Sequence, residues 1–174
     1  MDDVLFATGF WKRVGTLGAI MLLGAALVVP ALAAAAGGEA NGTLLYRTRT
    51  TTLKYAYLVR GPDAVTKQPI RRLILSASDL GAKIASCKTM SCTDSDLNDG
   101  VSINFDSGPR LNYWMVQNNQ KIQYSGTLKP DVLTTTANDG TRMAGQLRFD
   151  DAAAGGPKVD VEFNAALVKE VSAP

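Results

Sequence analysis

The chain has 174 residues, 46% of them hydrophobic and 20% charged, with a formal net charge of +2 and no histidine. That balance excludes a disordered or fibrous chain, and so small a charge gives no strong field toward nucleic acid or anionic lipid. The missing histidine removes the usual neutral-pH base, the Ser-His nucleophile pair and the commonest transition-metal ligand together.

The first element is a leader. No charged residue falls between Val14 and Gly38, Lys12 and Arg13 stand just before that run, and Pro30 followed by Ala31-Leu32-Ala33 closes it. A positive flank, an apolar stretch and a small-x-small exit make the pattern of a signal peptide over residues 1–36, with cleavage near 33–36. The rival reading is an uncleaved anchor, because about 20 apolar residues span a bilayer. In that case the membrane is met only through this segment. Either reading places residues 37–174 outside the cytoplasm, periplasmic or secreted. The alanine-rich exit is bacterial in type, so the sequon Asn41-Gly42-Thr43 is accidental. Removing the leader takes two acids and two bases with it and leaves the net charge unchanged.

The remainder reads as strands. Leu44, Tyr46, Thr48 and Thr50 share one face of a first segment, and Leu53, Tyr55, Tyr57 and Val59 share one face of a second. Gly61-Pro62-Asp63 forces a turn. Leu73-Ile74-Leu75 in a third segment is contiguous, as in a strand buried on both faces. Ser78 to Ser86 is the helical candidate, one to two turns long, with Ser78 or Asp79 as cap and Leu80 and Ile84 spaced i,i+4. Val101, Ile103 and Phe105 alternate with polar residues, Leu111, Tyr113 and Met115 alternate with Asn112, Trp114 and Val116, and Ile122, Tyr124 and Leu128 again alternate with polar residues. Met143, Leu147 and Phe149 alternate likewise, as do Val159, Val161 and Phe163. Period-2 patterning suits a strand with one wet face. Eight such segments predict an all-β domain, an antiparallel β-sandwich that is immunoglobulin-like or barrel-like, with one short helix. Hairpins are expected at Asn118-Asn119, where asparagine tolerates positive φ, and through Asp150 to Pro157.

Several constellations bear on function. Cys87 and Cys92, the chain's two cysteines, close a four-residue loop and read as a disulfide in an oxidising compartment. A thiol-exchange site needs C-x-x-C at a helix N-terminus, and zinc needs more ligands. Asp94-x-Asp96-x-Asn98 resembles the start of a calcium loop. However, Asp99 stands where that loop needs glycine and Phe105 where it needs glutamate, so a solvated loop is expected. Asp150, Asp151, Asp160 and Glu162 form pairs too common to signify glycoside hydrolysis. Arg47, Arg49, Lys54, Arg60, Arg71 and Arg72 form a basic stripe beside Tyr46, Tyr55 and Tyr57. In an exported protein these read as a wet face over core tyrosines rather than as a nucleic-acid platform. No catalytic, cofactor or metal residue is assigned.

Alternation puts Trp114 on the face opposite Leu111, Tyr113 and Met115. There Asn112, Trp114, Gln123 and Ser125 make the expected contact surface for a protein or glycan partner in the envelope. The function expected is a non-enzymatic binding or interaction module. The alternatives are a carboxylate-dependent hydrolase using Asp94, Asp96 or Asp106, and a structural subunit of an envelope assembly. The cysteine reading predicts no free thiol when the exported protein is denatured and titrated. Replacement of Cys87 by serine is expected to cost about 2 kcal/mol and leave the domain folded, because the closed loop is short.

Overall fold

The computed structural model describes residues 37–172. The leader therefore lies outside the described residues. Nine strands follow in chain order: β1 (Gly38–Tyr46), β2 (Arg49–Pro62), β3 (Pro69–Ser76), β4 (Gly100–Phe105), β5 (Leu111–Gln117), β6 (Ile122–Leu128), β7 (Leu133–Asn138), β8 (Arg142–Asp150) and β9 (Lys158–Glu170). They form one sheet in the order β6-β5-β4-β3-β2-β1-β9-β8-β7, curled into a half-barrel. The expected sandwich of two sheets is thus a single continuous one. Neighbouring strands in a sheet are typically rotated by about 20–25° against each other, and over nine strands such twist lets a sheet bend back and cover its own apolar face.

Every strand pairs with the next in sequence, except at one place. β6 and β7 are joined through residues 129–132 yet form the two opposite edges, while β9 returns to pair with β1. The start of β1 is a wedge between β2 and β9. Gly38 pairs with Ala56 on one side, and Glu39 with Asn164 on the other. Past that point β2 and β9 pair directly and in parallel, from Tyr57–Ala166 to Arg60–Glu170. A Cβ on Gly38 would collide with the Asn164 carbonyl, and one on Gly37 with the Tyr57 ring, so the junction needs glycine.

The inner face collects Leu44, Leu58, Leu73, Ile103, Met115, Leu147, Val161 and their neighbours from across the sheet. Tyr113 of β5 meets Phe149 of β8 with ring centroids 5.2 Å apart, so the two limbs of the sheet touch across the interior. The outer face of β2–β5 carries a second cluster, Tyr57, Val59, Ile70, Ile74 and Val116. Residues 77–99 cover it and insert Leu80, Ile84, Met90 and Leu97. This explains the contiguous run in β3, where Leu73 and Leu75 face inward and Ile74 outward. The short helix, α1 (Gly81–Ser86), lies in the covering segment. The Cys87 and Cys92 sulfurs, 2.01 Å apart, lie there too.

A buried ion pair fixes the cover to the sheet. Arg72 lies 3.0 Å from Asp94, each side chain only 12% exposed. Arg72 also donates to Asn104 Oδ1 and the Met90 carbonyl, and Asp94 accepts from Ser102 Oγ.

Two local readings differ. The first hairpin turns at Arg47–Thr48, with Arg47 at φ 53° and Tyr46 paired with Arg49, so Thr48 and Thr50 do not share the Leu44–Tyr46 face. No glycine or asparagine marks that turn. β7, mostly exposed threonine at an edge, carries no alternation to read. The hairpins β5–β6 and β8–β9 stand where expected.

Arg72→Ala leaves Asp94 buried without a partner and is expected to cost about 3–5 kcal/mol in urea unfolding. The paired replacement Arg72→Met with Asp94→Leu is expected to recover most of that loss.

Candidate functional site

The β5–β6 hairpin carries the sequence-derived contact residues. Trp114 pairs with Ser125 and Val116 with Gln123, which puts Asn112, Trp114, Gln123 and Ser125 on one outer face. Asn112, Gln123 and Ser125 are exposed, whereas Trp114 is half-buried and packs against the outer cluster. Trp114 therefore sits at the margin of the covered area, one flank against apolar side chains and the other open.

The hairpin's end is held by the covering segment. Asn118, Asn119 and Gln120 all have positive φ, at 58°, 52° and 63°. Left-handed backbone at Gln120 is strained for a side chain of its type. Three bonds maintain it: Asn118 N–H to Asp99 Oδ1 at 2.8 Å, Gln120 N–H to the Asn98 carbonyl at 3.2 Å, and Gln120 Nε2 to the Ser95 carbonyl at 2.7 Å. The acidic segment at Asp94–Asp99 thus serves structural bonds. Asp94 holds Arg72, Asp96 holds Lys83 at 3.3 Å, and Asp99 lies 3.6 Å from Arg49.

The basic stripe is likewise dismantled by pairing. Arg60 is bound to Glu170, Arg71 to Asp106 and Arg72 to Asp94. Among the described residues Arg47, Lys54 and Lys121 have no acidic partner. Arg47 and Lys121 meet with Arg49 in a cleft of about 350 Å³ between the two hairpin ends, lined also by Tyr46, Ile122 and Gln123. The Arg47 guanidinium lies over the Tyr46 ring, 5.4 Å from its centroid.

Gln117 sets the spacing of those ends. Its Nε2 donates to the Leu44 and Arg49 carbonyls at 3.3 Å each and to Thr51 Oγ1 at 3.0 Å, which ties β5 to the β1–β2 hairpin across the interior. Its Oε1 is buried and has no hydrogen-bond partner among the described residues. The signal for Gln117 was present in the sequence, since it continues the Leu111–Tyr113–Met115 face as a polar residue in a core position. Nothing brought Lys121 and Arg47 together, because they are far apart in the chain.

Asp106, one of the carboxylates considered for hydrolysis, is bonded to Arg71. Asp150 pairs with Lys158, whereas Asp151 accepts from the Tyr113 hydroxyl at 2.7 Å. Among the described residues no three of Cys, Asp and Glu gather to hold a metal ion. Burial, reinforced by Asp151, raises the Tyr113 phenol well above its ordinary value. Burial also raises Tyr57, whose hydroxyl donates to Asp79 and accepts from the Leu80 N–H. The Gly81 N–H, with the Tyr57 hydroxyl, holds the Asp79 carboxyl below the usual range.

Compared with protein-family models, with curated proteins and with solved structures, the chain matches none.

Raised phenol pKa values favour the fold below the unfolded tyrosine pKa of about 10, and that contribution disappears as pH climbs toward the folded values. In an alkaline titration at 295 nm, Tyr57 and Tyr113 are therefore expected to ionise only together with unfolding. Tyr113→Phe is expected to remove one of the two late titrations.

Proposed function

We propose that the chain is an exported, extracytoplasmic interaction module without enzymatic activity. Its contact surface is the outer face of the β5–β6 hairpin. One observation carries this reading: Trp114 stands half-buried beside the exposed Asn112, Gln123 and Ser125, where the covering segment ends. A tryptophan packed on one flank is held rigidly and loses little side-chain entropy on binding. The surrounding amides and hydroxyl supply directional hydrogen bonds to a protein or glycan.

The compartment is periplasmic or secreted, reached through a signal peptide at residues 1–36. Support comes from the charge-free run behind Lys12 and Arg13 and from the paired cysteines. No helix among the described residues is long and apolar enough to cross a membrane. A non-enzymatic role accords with the engagement of Asp94, Asp96 and Asp106 by Arg72, Lys83 and Arg71.

The test is capture of envelope components by the purified exported chain, with bound species identified by mass spectrometry. The double change Gln123→Ala with Ser125→Ala is expected to alter stability by no more than about 0.5 kcal/mol while weakening capture. Trp114→Ala is expected to cost about 2 kcal/mol, between the surface and core extremes, and to abolish capture. Unchanged capture by both variants would refute the assignment of this face.

A further inference from the structure

The half-barrel is open along one line, and the two edges there are unlike. β7 has an irregular register between Thr135 and Ala137. β6 pairs with β5 in unbroken register from Ile122 to Leu128, and its other edge is unpaired. Its seven residues include no charge and no proline. Exposed edge strands are normally blunted by charges, prolines, bulges or a covering segment. β6 itself carries no charge, proline or bulge along its length. Charge stands at its two ends, as the exposed Lys121 and Lys129, and reaches Thr127 from Arg110, which donates to its hydroxyl and carbonyl, while the Tyr124 hydroxyl donates to the Ala154 carbonyl. The half-buried apolar residues that pack against the inner core include Ile122 and Tyr124 on β6 and Val132 and Leu133 beyond it. They mark the open line as an apolar margin.

The start of β6 adjoins the cleft of Arg47, Arg49 and Lys121. We propose that the β6 edge takes the extended C-terminal segment of a partner protein as an added antiparallel strand, with its terminal carboxylate seated among Arg47, Arg49 and Lys121. The inference rests on the reading of the chain as an interaction module and names the partner's chemistry.

Direction follows from charge. A strand antiparallel to β6 runs toward Ile122 and delivers its carboxylate to the cations. A parallel one would carry its carboxylate to the Leu128 end, away from them. Guanidinium forks match a carboxylate in geometry as well as sign. Main-chain bonds to the edge supply affinity, and alternate side chains supply selection. Residues of the added strand on the Ile122 and Tyr124 side meet the apolar margin, so the segment alternates apolar with polar.

A second copy of this chain fits less well. Antiparallel pairing of two β6 strands about Ser125 matches Ile122 with Leu128 and Tyr124 with Gly126. It also sets Lys121 against Lys129 at both ends, and like charges placed opposite each other oppose pairing.

The probe is a fluorescein-labelled pool of heptapeptides. Val, Ile, Leu or Phe occupies alternate positions and Ser, Thr or Gln the others, and the pool is made both as free acid and as C-terminal amide. The purified exported chain is expected to retain the free acids at micromolar concentration and the amides about tenfold more weakly. Arg47→Glu combined with Lys121→Glu is expected to abolish that difference without lowering the melting temperature. Backbone N-methylation of a retained peptide is expected to stop binding in one alternating pattern and spare it in the other.

Equal binding of acid and amide, equal tolerance of both methylation patterns, or no retention at roughly 1 mM would each overturn the proposal. Self-association that Lys121→Glu strengthens would overturn it in favour of a second copy, because the new glutamate would face Lys129. Trp114→Ala is expected to leave peptide binding within about twofold. Failure here with Trp114-dependent envelope capture intact would remove this inference and leave the interaction-module reading standing. Failure of capture with peptide binding intact would remove the Trp114 face as the contact surface and leave this inference standing.

Discussion

A single sheet whose inner face is apolar, with no second sheet to cover it, has to bury that face against itself, and most of this structure follows from that constraint. The bend brings β5 against β8 through Tyr113 and Phe149, and β1 against β6 through Tyr46 and Tyr124, whose ring centroids lie 6.1 Å apart. Gln117 is the polar counterpart of those contacts. Its two N–H groups, shared among three acceptors, hold the end of β5 against the β1–β2 hairpin. Those bonds replace the water lost by the amide's N–H groups, while its buried oxygen keeps no partner among the described residues. The same bonds fix which hairpin ends lie side by side. The cleft between them is thus a consequence of how the sheet closes.

The outer face raises the opposite problem. Tyr57, Ile70 and Ile74 point away from the inner core and would meet water without residues 77–99. That segment has little regular structure of its own, only α1 and a 3-10 turn at Met90–Cys92, so its place depends on specific bonds. Arg72 to Asp94, Tyr57 to Asp79 and Lys169 to the Ala85 carbonyl supply them, and the disulfide closes the segment on itself. The segment in turn holds the strained turn at Asn118–Gln120 through Asp99, Asn98 and Ser95. Position is therefore transmitted from the cover to the hairpin that carries Trp114.

The legible parts of the fold were those in which one face is wet. β5, β6, β8 and most of β9 show period-2 alternation, β4 alternates in sequence although both its faces are buried, and the doubly buried β3 showed itself as a contiguous apolar run. What escaped was what alternation does not encode. Sheet number depends on accumulated twist, so one curled sheet and two stacked sheets share the same pattern. β7 has little buried face. In β2 the inward side chains pass from Leu53 to Ala56, three residues apart, beside the β1 irregularity near Ala40–Asn41, so a uniform alternation misassigns the tyrosines. For the site, Trp114 and its polar neighbours were legible because a register slip would bury Lys121 and Gln123. The cationic cleft was not, because it joins two turns distant in sequence.

The way the chain passes from β6 to β7 explains why an open edge persists at all. With every neighbouring pair antiparallel and β9 antiparallel to β1, counting along the ladder gives β6 and β7 the same sense. Two strands of like sense cannot be joined as adjacent partners by a connection as short as residues 129–132, since parallel neighbours need a crossover of a dozen residues or more. Pro130, which lacks an N–H to donate, opens the 3-10 turn in this connection. The chain therefore continues from one edge of the sheet to the other, and closure of the barrel is ruled out by topology. The unpaired main-chain groups of β6 are in this sense required by the fold. Since the strand carries no charge to repel a partner, what distinguishes its two ends is the company of Lys121: Arg47 and Arg49 lie beside it, and the Gln117 bonds that close the sheet hold them there.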